Sequence, residues 1–267
     1  AAEAGITAGV RFEDARGFAN RGNVAQMVNN TLDCDVVTVK AYKDGTVEYE
    51  ESDKTLLKDK LDISKYEDTR VIADKIVDDG LAEDEITVLF TKEIDKDDDS
   101  VKKSYKKNEE KDFTIRKGVN PRQLLGEEVS VYMNDRDEVV YIESENDDRA
   151  NFDYIAEIVD EVEVSLVKFD KDYKFDKDAR VYVYNSSDDR YDLYDGEDLT
   201  KTKIEDLELP GQLGKFVVKN NRIVFAEIFK SSEVEPLLVV LENNKGELEG
   251  INKDTEDAKL DLTKDGT

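Results

Sequence analysis

Apolar and polar residues alternate along much of the chain, which is the period-two pattern of half-buried β-strands. The clearest case is residues 121–143, where Val129, Val131 and Met133 alternate with polar neighbours. A polar turn at residues 134–137 follows, and a second alternating run comes after it. Because short Asx side chains bond their own backbone in turns, this segment predicts a β-hairpin.

The same design returns in residues 210–229, with Asn220 and Asn221 at the turn. Both hairpins are entered through a similar segment. The segment before the second hairpin has Pro210, Gln212, Leu213 and Gly214. These residues correspond to Pro121, Gln123, Leu124 or Leu125, and Gly126 before the first hairpin. The chain is therefore predicted to repeat one small β unit.

One helix is predicted near the start of the chain. Val24, Met27, Val28 and Leu32 lie at i, i+3, i+4 and i+8, which places them on one face of a helix of about three turns. Asn20 or Asn23 is its expected N-cap.

Weaker patterns complete the prediction. The Asp44-Gly45 pair predicts a hairpin turn between strands near Val36 and Tyr49. The remaining segments divide into three kinds. Strands are expected at 66–77, 85–91, 162–169 and 179–184, a short helix or turn at 52–61, a short helix at 151–158, and polar loops at 95–112 and 185–198. A third unit is expected to begin at Leu237–Leu241, with a turn at 243–246 and a further strand at 258–262.

Composition points to several small domains. Apolar residues are 38% and charged residues 39% of the chain, against roughly 45–50% and 25% in an average soluble domain. The net charge of −27 argues against a nucleic-acid partner, because phosphate binding needs cations. No run of 18 apolar residues occurs, so no membrane span is expected.

The chain has no His and a single Cys, Cys34. It therefore lacks the usual general base and the commonest metal ligand, and it cannot form an internal disulfide. Cys34 is expected to be a small buried apolar residue. No catalytic or cofactor-binding residue is predicted.

Two segments carry a family resemblance. The first resembles the second half of an S-layer homology repeat, which has a glycine turn and an Arg-initiated helix. The matching residues are Gly5-Ile6-Thr7-Ala8-Gly9 for the turn and Asn20-Arg21-Gly22-Asn23 for the start of the helix. Thr55-Leu56-Leu57 and the hairpin Leu125–Tyr132 are similar to the β-rich region that often follows such repeats in exported bacterial surface proteins. The resemblance implies attachment to cell-wall polysaccharide.

The expected fold is mainly β, with small antiparallel β domains in series (hairpin-, barrel- or sandwich-like) after a short helical segment. Residues 1–33 would be a partial S-layer-homology-like segment, 34–150 a first β domain, 151–232 a second domain with the repeated hairpin, and 233–267 the start of a third unit. Because the chain starts with Ala-Ala and no capping unit is visible at its end, we expect a processed or trimmed segment of a longer repetitive protein.

Calcium is the one cofactor that the sequence suggests. Its hard-oxygen ligands would come from aspartates in two polar segments. These are Asp170, Asp172, Asp176 and Asp178, and Asp188, Asp189, Asp192 and Asp195. Neither segment has the spacing of a calcium loop, so no residue is assigned to the metal. The aspartates could instead bridge copies through calcium.

The sequence favours a structural, non-enzymatic protein, as a building block or spacer of an exported S-layer-like or filamentous assembly outside the cell. Homo-oligomer or lattice contacts are expected. A phage virion structural protein is one alternative, and an acidic metal-dependent carbohydrate-active enzyme is another. The 66 acidic residues make paired carboxylates uninformative as a sign of glycosidase chemistry.

Overall fold

A computed structural model describes residues 5–10, 20–43, 45–96, 101–145, 150–160 and 162–229, and the backbone of 239–244, 247–251 and 257–261. Asp44, Leu237, Leu238, the second half of the expected turn at 243–246, and Leu262 lie outside these ranges. The described residues fold as a mainly β protein with several small sheets and few helices, which confirms the predicted fold class.

The elements follow in chain order. The helices are α1 (Arg21–Leu32), α2 (Leu56–Leu61) and α3 (Lys201–Asp206), and short 3-10 turns occupy Arg122–Leu124 and Gly196–Asp198. The first strands are β1 (Asp35–Lys43), β2 (Thr46–Thr55), β3 (Ser64–Asp74), β4 (Glu85–Phe90), β5 (Glu109–Thr114), β6 (Glu128–Met133) and β7 (Val139–Ser144). The others are β8 (Asn151–Asp160), β9 (Glu163–Leu166), β10 (Lys171–Asn185), β11 (Arg190–Asp195), β12 (Leu213–Lys219), β13 (Arg222–Phe229), β14 (Val239–Asn244), β15 (Glu247–Ile251) and β16 (Asp257–Asp261).

Strands β3 to β7 form the first barrel. Its strand order is β5-β4-β3-β6-β7, with every named pair antiparallel. A parallel bridge between Ile115 and Val139 joins the two ends of this sheet, and the Arg116 N–H donates to the Val139 carbonyl at 2.8 Å. Closure removes the free edges of the sheet.

Strands β8 to β13 form the second barrel. Its order is β10-β13-β12-β8-β9, and β9 pairs back to β10. The β10–β13 pair is parallel, and β11 extends the second half of β10 as a hairpin. The predicted hairpins at 121–143 and 210–229 are confirmed as β6–β7 and β12–β13.

The two barrels share connectivity and register. Three cross-strand pairs of the first barrel have direct counterparts in the second. Asp74–Ile86 matches Ile158–Val164, Glu85–Thr114 matches Glu163–Lys174, and Ile115–Val139 matches Phe175–Ile223. Both final hairpins also carry a β-bulge at the same place, after Tyr132 and after Val217.

Each barrel consists of a three-stranded meander, a short helical connection and a hairpin. A parallel pair between the third and fifth strands closes it. This is the connectivity of the OB-fold, a five-stranded Greek-key barrel. The sequence repeat is therefore a repeat of whole barrels.

The register corrects the sequence echo at the hairpin entrances. The Gly126 N–H donates to the Val71 carbonyl at 2.7 Å, and the Gly211 N–H donates to the Ile155 carbonyl at 2.7 Å, two residues before each strand. Both glycines have positive φ, +86° and +82°, which glycine adopts without steric cost. Gly211, and not Gly214, is thus the counterpart of Gly126.

Two sequence predictions were wrong in the second barrel. Residues 151–158 are not helical but begin strand β8, where Tyr154 and Leu213 pair across strands. Their apolar segment is too short to separate a helix from a strand, and pairing with β12 and β9 decides the outcome. Residues 185–198 are not a loop throughout, because β11 pairs with β10 there.

Residues 95–112 were predicted as a solvated loop, and the structure corrects this for the described part. Val101 and Tyr105 are buried, with the Tyr105 ring stacked on Phe90 at 3.9 Å between centroids. Strand β5 then begins at Glu109. The lysines around Tyr105 masked the core position in the sequence.

Apolar contacts join the barrels. Tyr182, Val217 and Phe225 project from the outer face of the second barrel and are buried in the core cluster of the first. A Cβ on Gly126 would overlap the Phe225 ring, whereas a Cβ on Gly211 would have no atom within 4 Å. The close approach of the barrels therefore depends on a glycine at position 126.

We predict that Gly126→Ala destabilises the protein more than Gly211→Ala. Both substitutions place a Cβ at positive φ, which costs about 1 kcal/mol. Only Gly126→Ala also overpacks against Phe225, which adds about 1–3 kcal/mol. Denaturant unfolding of the two variants measures the difference, and equal losses would contradict the close packing of Phe225 on Gly126.

Candidate assembly surface

The contact between the barrels contains buried charge beside its apolar centre. Arg122 lies between Asp74, at 3.3 Å, and Glu227, whose side chain is 1% exposed. Although burial lowers the pKa of Arg122, the adjacent Glu227 and Asp74 outweigh it and raise that pKa. A buried carboxylate is costly without a partner. Arg122 therefore stabilises the barrel contact by pairing with the buried carboxylate of Glu227.

Lys215 makes a second link between the barrels. Its Nζ donates to the backbone carbonyls of Arg122 and Gln123, both at 3.2 Å. Burial lowers the pKa of Lys215, while Glu227 and Glu127 act in the opposite direction. The second barrel thereby holds the turn that precedes Gly126.

Ion pairs surround this centre. Arg180 of β10 bonds Glu110 of β5 and also Asp195, at 2.7 Å. Lys219 pairs with Glu128 on the other side. With Phe225, Arg122 and Lys215 between them, these pairs fix the two barrels against each other.

The β1–β2 hairpin has a different character, because none of its described residues is buried. The pairs Val39–Tyr49 and Tyr42–Val47 lie on one face, and Val37 lies on it too. A bulge at residue 40 keeps Tyr42 on that face. This apolar face of β1–β2 is open, with Tyr42 80% and Tyr49 64% exposed.

The opposite face of β1–β2 is polar. Thr38 pairs with Glu50, and Ala41 with Glu48, and Lys40 forms an exposed ion pair with Glu50 at 3.7 Å. In the described part of the chain, β1 and β2 pair only with each other, so the outer edge of each has no strand partner there. Such edges are templates for another chain.

Helix α1 begins at Arg21 with Asn20 as its N-cap, whose Oδ1 accepts the Asn23 N–H at 2.8 Å. Its predicted apolar face is only partly covered, since Val24 and Val28 are exposed whereas Met27 and Leu32 are half-buried. Asn30 ties the helix to the preceding turn by donating to the carbonyls of Ile6 and Ala8.

Cys34 is partly buried rather than fully buried as predicted, and its Sγ donates to the Asn30 carbonyl at 3.3 Å. Its neighbour Asp33 lines an open cleft of about 430 Å³ beside the first barrel. Five carboxylates line this cleft, and several of them are paired with lysines. Lys65 pairs with Asp33 at 3.6 Å and with Glu67 at 2.8 Å, and Lys92 pairs with Asp68 at 2.7 Å. These pairs neutralise part of the acidic wall.

Several of the aspartates proposed for calcium have other partners. Asp176 accepts the Asp178 N–H, Asp189 accepts the Tyr184 hydroxyl, and Asp195 accepts from Arg180. Asp188 and Asp192 both accept from Asn185, while Asp170 occupies a turn at positive φ and Asp172 lies in β10. Across the described ranges, no three metal-ligating side chains come together.

Comparisons with protein-family models, curated proteins and solved structures found no match. None of the helices in the described part of the chain is long and apolar enough to cross a membrane.

The sequence predicted the β1–β2 hairpin but not the exposure of its apolar face. Alternation shows that a strand has two unlike faces, and it does not show whether anything covers the apolar one. The sequence did carry one usable signal, because helices are predicted on both sides of β1–β2 and no neighbouring strand segment is available to pair with the hairpin.

We predict that Arg122→Ala lowers the free energy of unfolding by about 3–5 kcal/mol, because it leaves Glu227 buried without its cation. Glu227→Gln in the same chain should recover part of this loss. Urea unfolding of the four proteins in this double-mutant cycle gives the coupling energy. Additive losses would contradict the pairing of Arg122 with Glu227.

Proposed function

We propose that the chain is a structural, non-enzymatic building block or spacer of an exported assembly at a bacterial cell surface, either an S-layer-like lattice or a filament. The observation that carries this proposal is the open apolar face of β1–β2 on an otherwise strongly acidic chain. Apolar patches of this kind mark interaction sites. The resemblance of residues 5–23 to an S-layer homology repeat is the reason for proposing a location at the cell surface.

Covering this face would drive association. Burial of about 200 Å² of apolar surface contributes about 5 kcal/mol at ~25 cal/mol per Å², and tyrosines are enriched at protein interfaces. The charge of −27 opposes non-specific aggregation. The face therefore suits a specific contact with another copy.

The fixed pair of barrels suits a spacer. Two OB-type barrels held by Phe225, Arg122 and Lys215 transmit position from one end to the other without a flexible joint. OB-type barrels also bind oligonucleotides or oligosaccharides, and the negative charge favours the second class. Cell-wall polysaccharide remains a proposed partner, through a region outside this chain or at its N-terminal end.

Calcium is part of the proposal as a bridge between copies rather than as an ion held within one chain. Carboxylates of two acidic surfaces lie within a Debye length, about 8 Å at physiological ionic strength, when the surfaces pack together. A divalent cation taking six to eight oxygens can join them. The aspartates of residues 170–178 and 188–198 are the proposed donors.

We predict that Tyr49→Asp weakens self-association at least about tenfold, which corresponds to ~1.4 kcal/mol, because it places a charge in the centre of the apolar face of β1–β2. Ile76→Asp is the matched control, since Ile76 is also exposed, at 60%, but lies between β3 and β4. Sedimentation velocity over a concentration series measures both.

Two outcomes would count against the proposal. A wild-type chain that stays monomeric at all concentrations, with and without calcium, would remove the assembly function. Equal weakening by Ile76→Asp and Tyr49→Asp would show that added charge, and not the apolar face of β1–β2, controls association.

We predict that millimolar calcium shifts assembly to lower protein concentration and that a chelator reverses the shift. Light scattering during a calcium titration measures the effect, with magnesium as the control cation because it keeps its waters. Assembly that resists the chelator but dissolves in monovalent salt would instead indicate bridging by lysines.

A further inference from the structure

The outer face of the second barrel's hairpin, which docks on the first barrel, has a counterpart on the first barrel. The shared register matches Val217 with Tyr132 and Phe225 with Tyr141. Glu227 likewise matches Glu143. We call the Tyr132, Tyr141 and Glu143 surface the hairpin face.

The hairpin face is aromatic and partly open, with the Lys65 Nζ over the Tyr132 ring, 5.8 Å from its centroid. Tyr132 and Tyr141 pack together with their ring centroids 5.4 Å apart, and Tyr141 is 55% exposed. The Tyr132 hydroxyl donates to Glu143 at 2.9 Å, which orients the pair. Aromatic side chains with a bonded hydroxyl suit a surface that must be apolar and still soluble.

The surface that receives Phe225 also has a counterpart. In the first barrel it is the notch at Gly126, beside Ile72. In the second barrel the register gives Gly211 beside Ala156. Gly211 has the same positive φ as Gly126, with open space where a Cβ would stand, and Ala156 is exposed. We call this surface the glycine notch.

We propose that the hairpin face of one copy docks in the glycine notch of a second copy, repeating between chains the apolar part of the contact that joins the two barrels within one. This inference rests on the proposed assembly function and names the contact. The occupant is a second copy because the chain displays one half of the contact on its first barrel and the other half on its second.

The contact is heterologous, because two different surfaces of the same chain meet. Repeating it generates an open chain of copies, or a ring where the rotation between successive copies closes. Tyr141 would take the place over Gly211 that Phe225 takes over Gly126. Tyrosine is larger than phenylalanine by its hydroxyl group. The small Ala156 would leave room for that hydroxyl, whereas the first barrel has the bulkier Ile72 at the equivalent position.

Two substitutions block opposite halves of the contact. Tyr141→Asp places a charge in the hairpin face, and Ala156→Arg fills the glycine notch. Both residues are exposed, so both variants should fold, which thermal unfolding checks. They are made in the full chain carrying Tyr49→Asp, so that association through β1–β2 does not mask the result.

Sedimentation velocity of the Tyr49→Asp chain should show linear oligomers. Adding Tyr141→Asp or Ala156→Arg should give monomers, whereas Ile76→Asp should change nothing. Mixing the two blocked variants should restore a heterodimer and nothing larger, because each retains one intact half.

The inference is overturned if either blocked variant still forms long oligomers, or if their mixture stays monomeric. It is also overturned if the Tyr49→Asp chain is already monomeric while the wild type assembles, and in that case the proposed function stands. A wild type that never assembles would remove both.

Discussion

The packing of Phe225 on Gly126 is the contact on which the rest of the structure depends. It brings the outer face of one barrel against the hairpin entrance of the other, and it is possible only because Gly126 has no Cβ. Once the backbones are this close, Arg122 reaches Glu227 and Lys215 reaches the Arg122 carbonyl. The buried charges therefore follow from the apolar contact, and they make it specific because a shifted docking would leave each of them without its partner.

The two barrels keep one register although few of their equivalent residues are alike. Tyr132 corresponds to Val217, and Tyr141 to Phe225, yet the bulge that follows Tyr132 recurs after Val217. Strand pairing and barrel closure constrain where a bulge can lie. The identity of an outward-facing side chain is constrained only by the surface that covers it. Sequence identity is consequently a weak guide to this repeat, and cross-strand pairing is a strong one.

Local patterns predicted what local physics determines. Alternation and turn residues gave the hairpins at 121–143 and 210–229, and the apolar spacing with Asn20 gave α1. Barrel closure was not predictable in this way, because Ile115 meets Val139 through a pairing that no nearby residues encode. The first part of the strand at residues 151–160 was missed for the same reason, since its partner β12 lies about sixty residues further on.

The candidate surface shows the same limit from the other side. Val37, Val39 and Tyr49 form an apolar face that the sequence marks as apolar, but only the three-dimensional arrangement shows it to be open. A chain of charge −27 can expose such a face without aggregating, because long-range repulsion acts at any orientation while apolar burial requires a fitting partner. Charge then acts as a filter. Only a contact that buries enough surface in one orientation overcomes the repulsion, which is the condition that an ordered assembly needs and a random aggregate fails to meet.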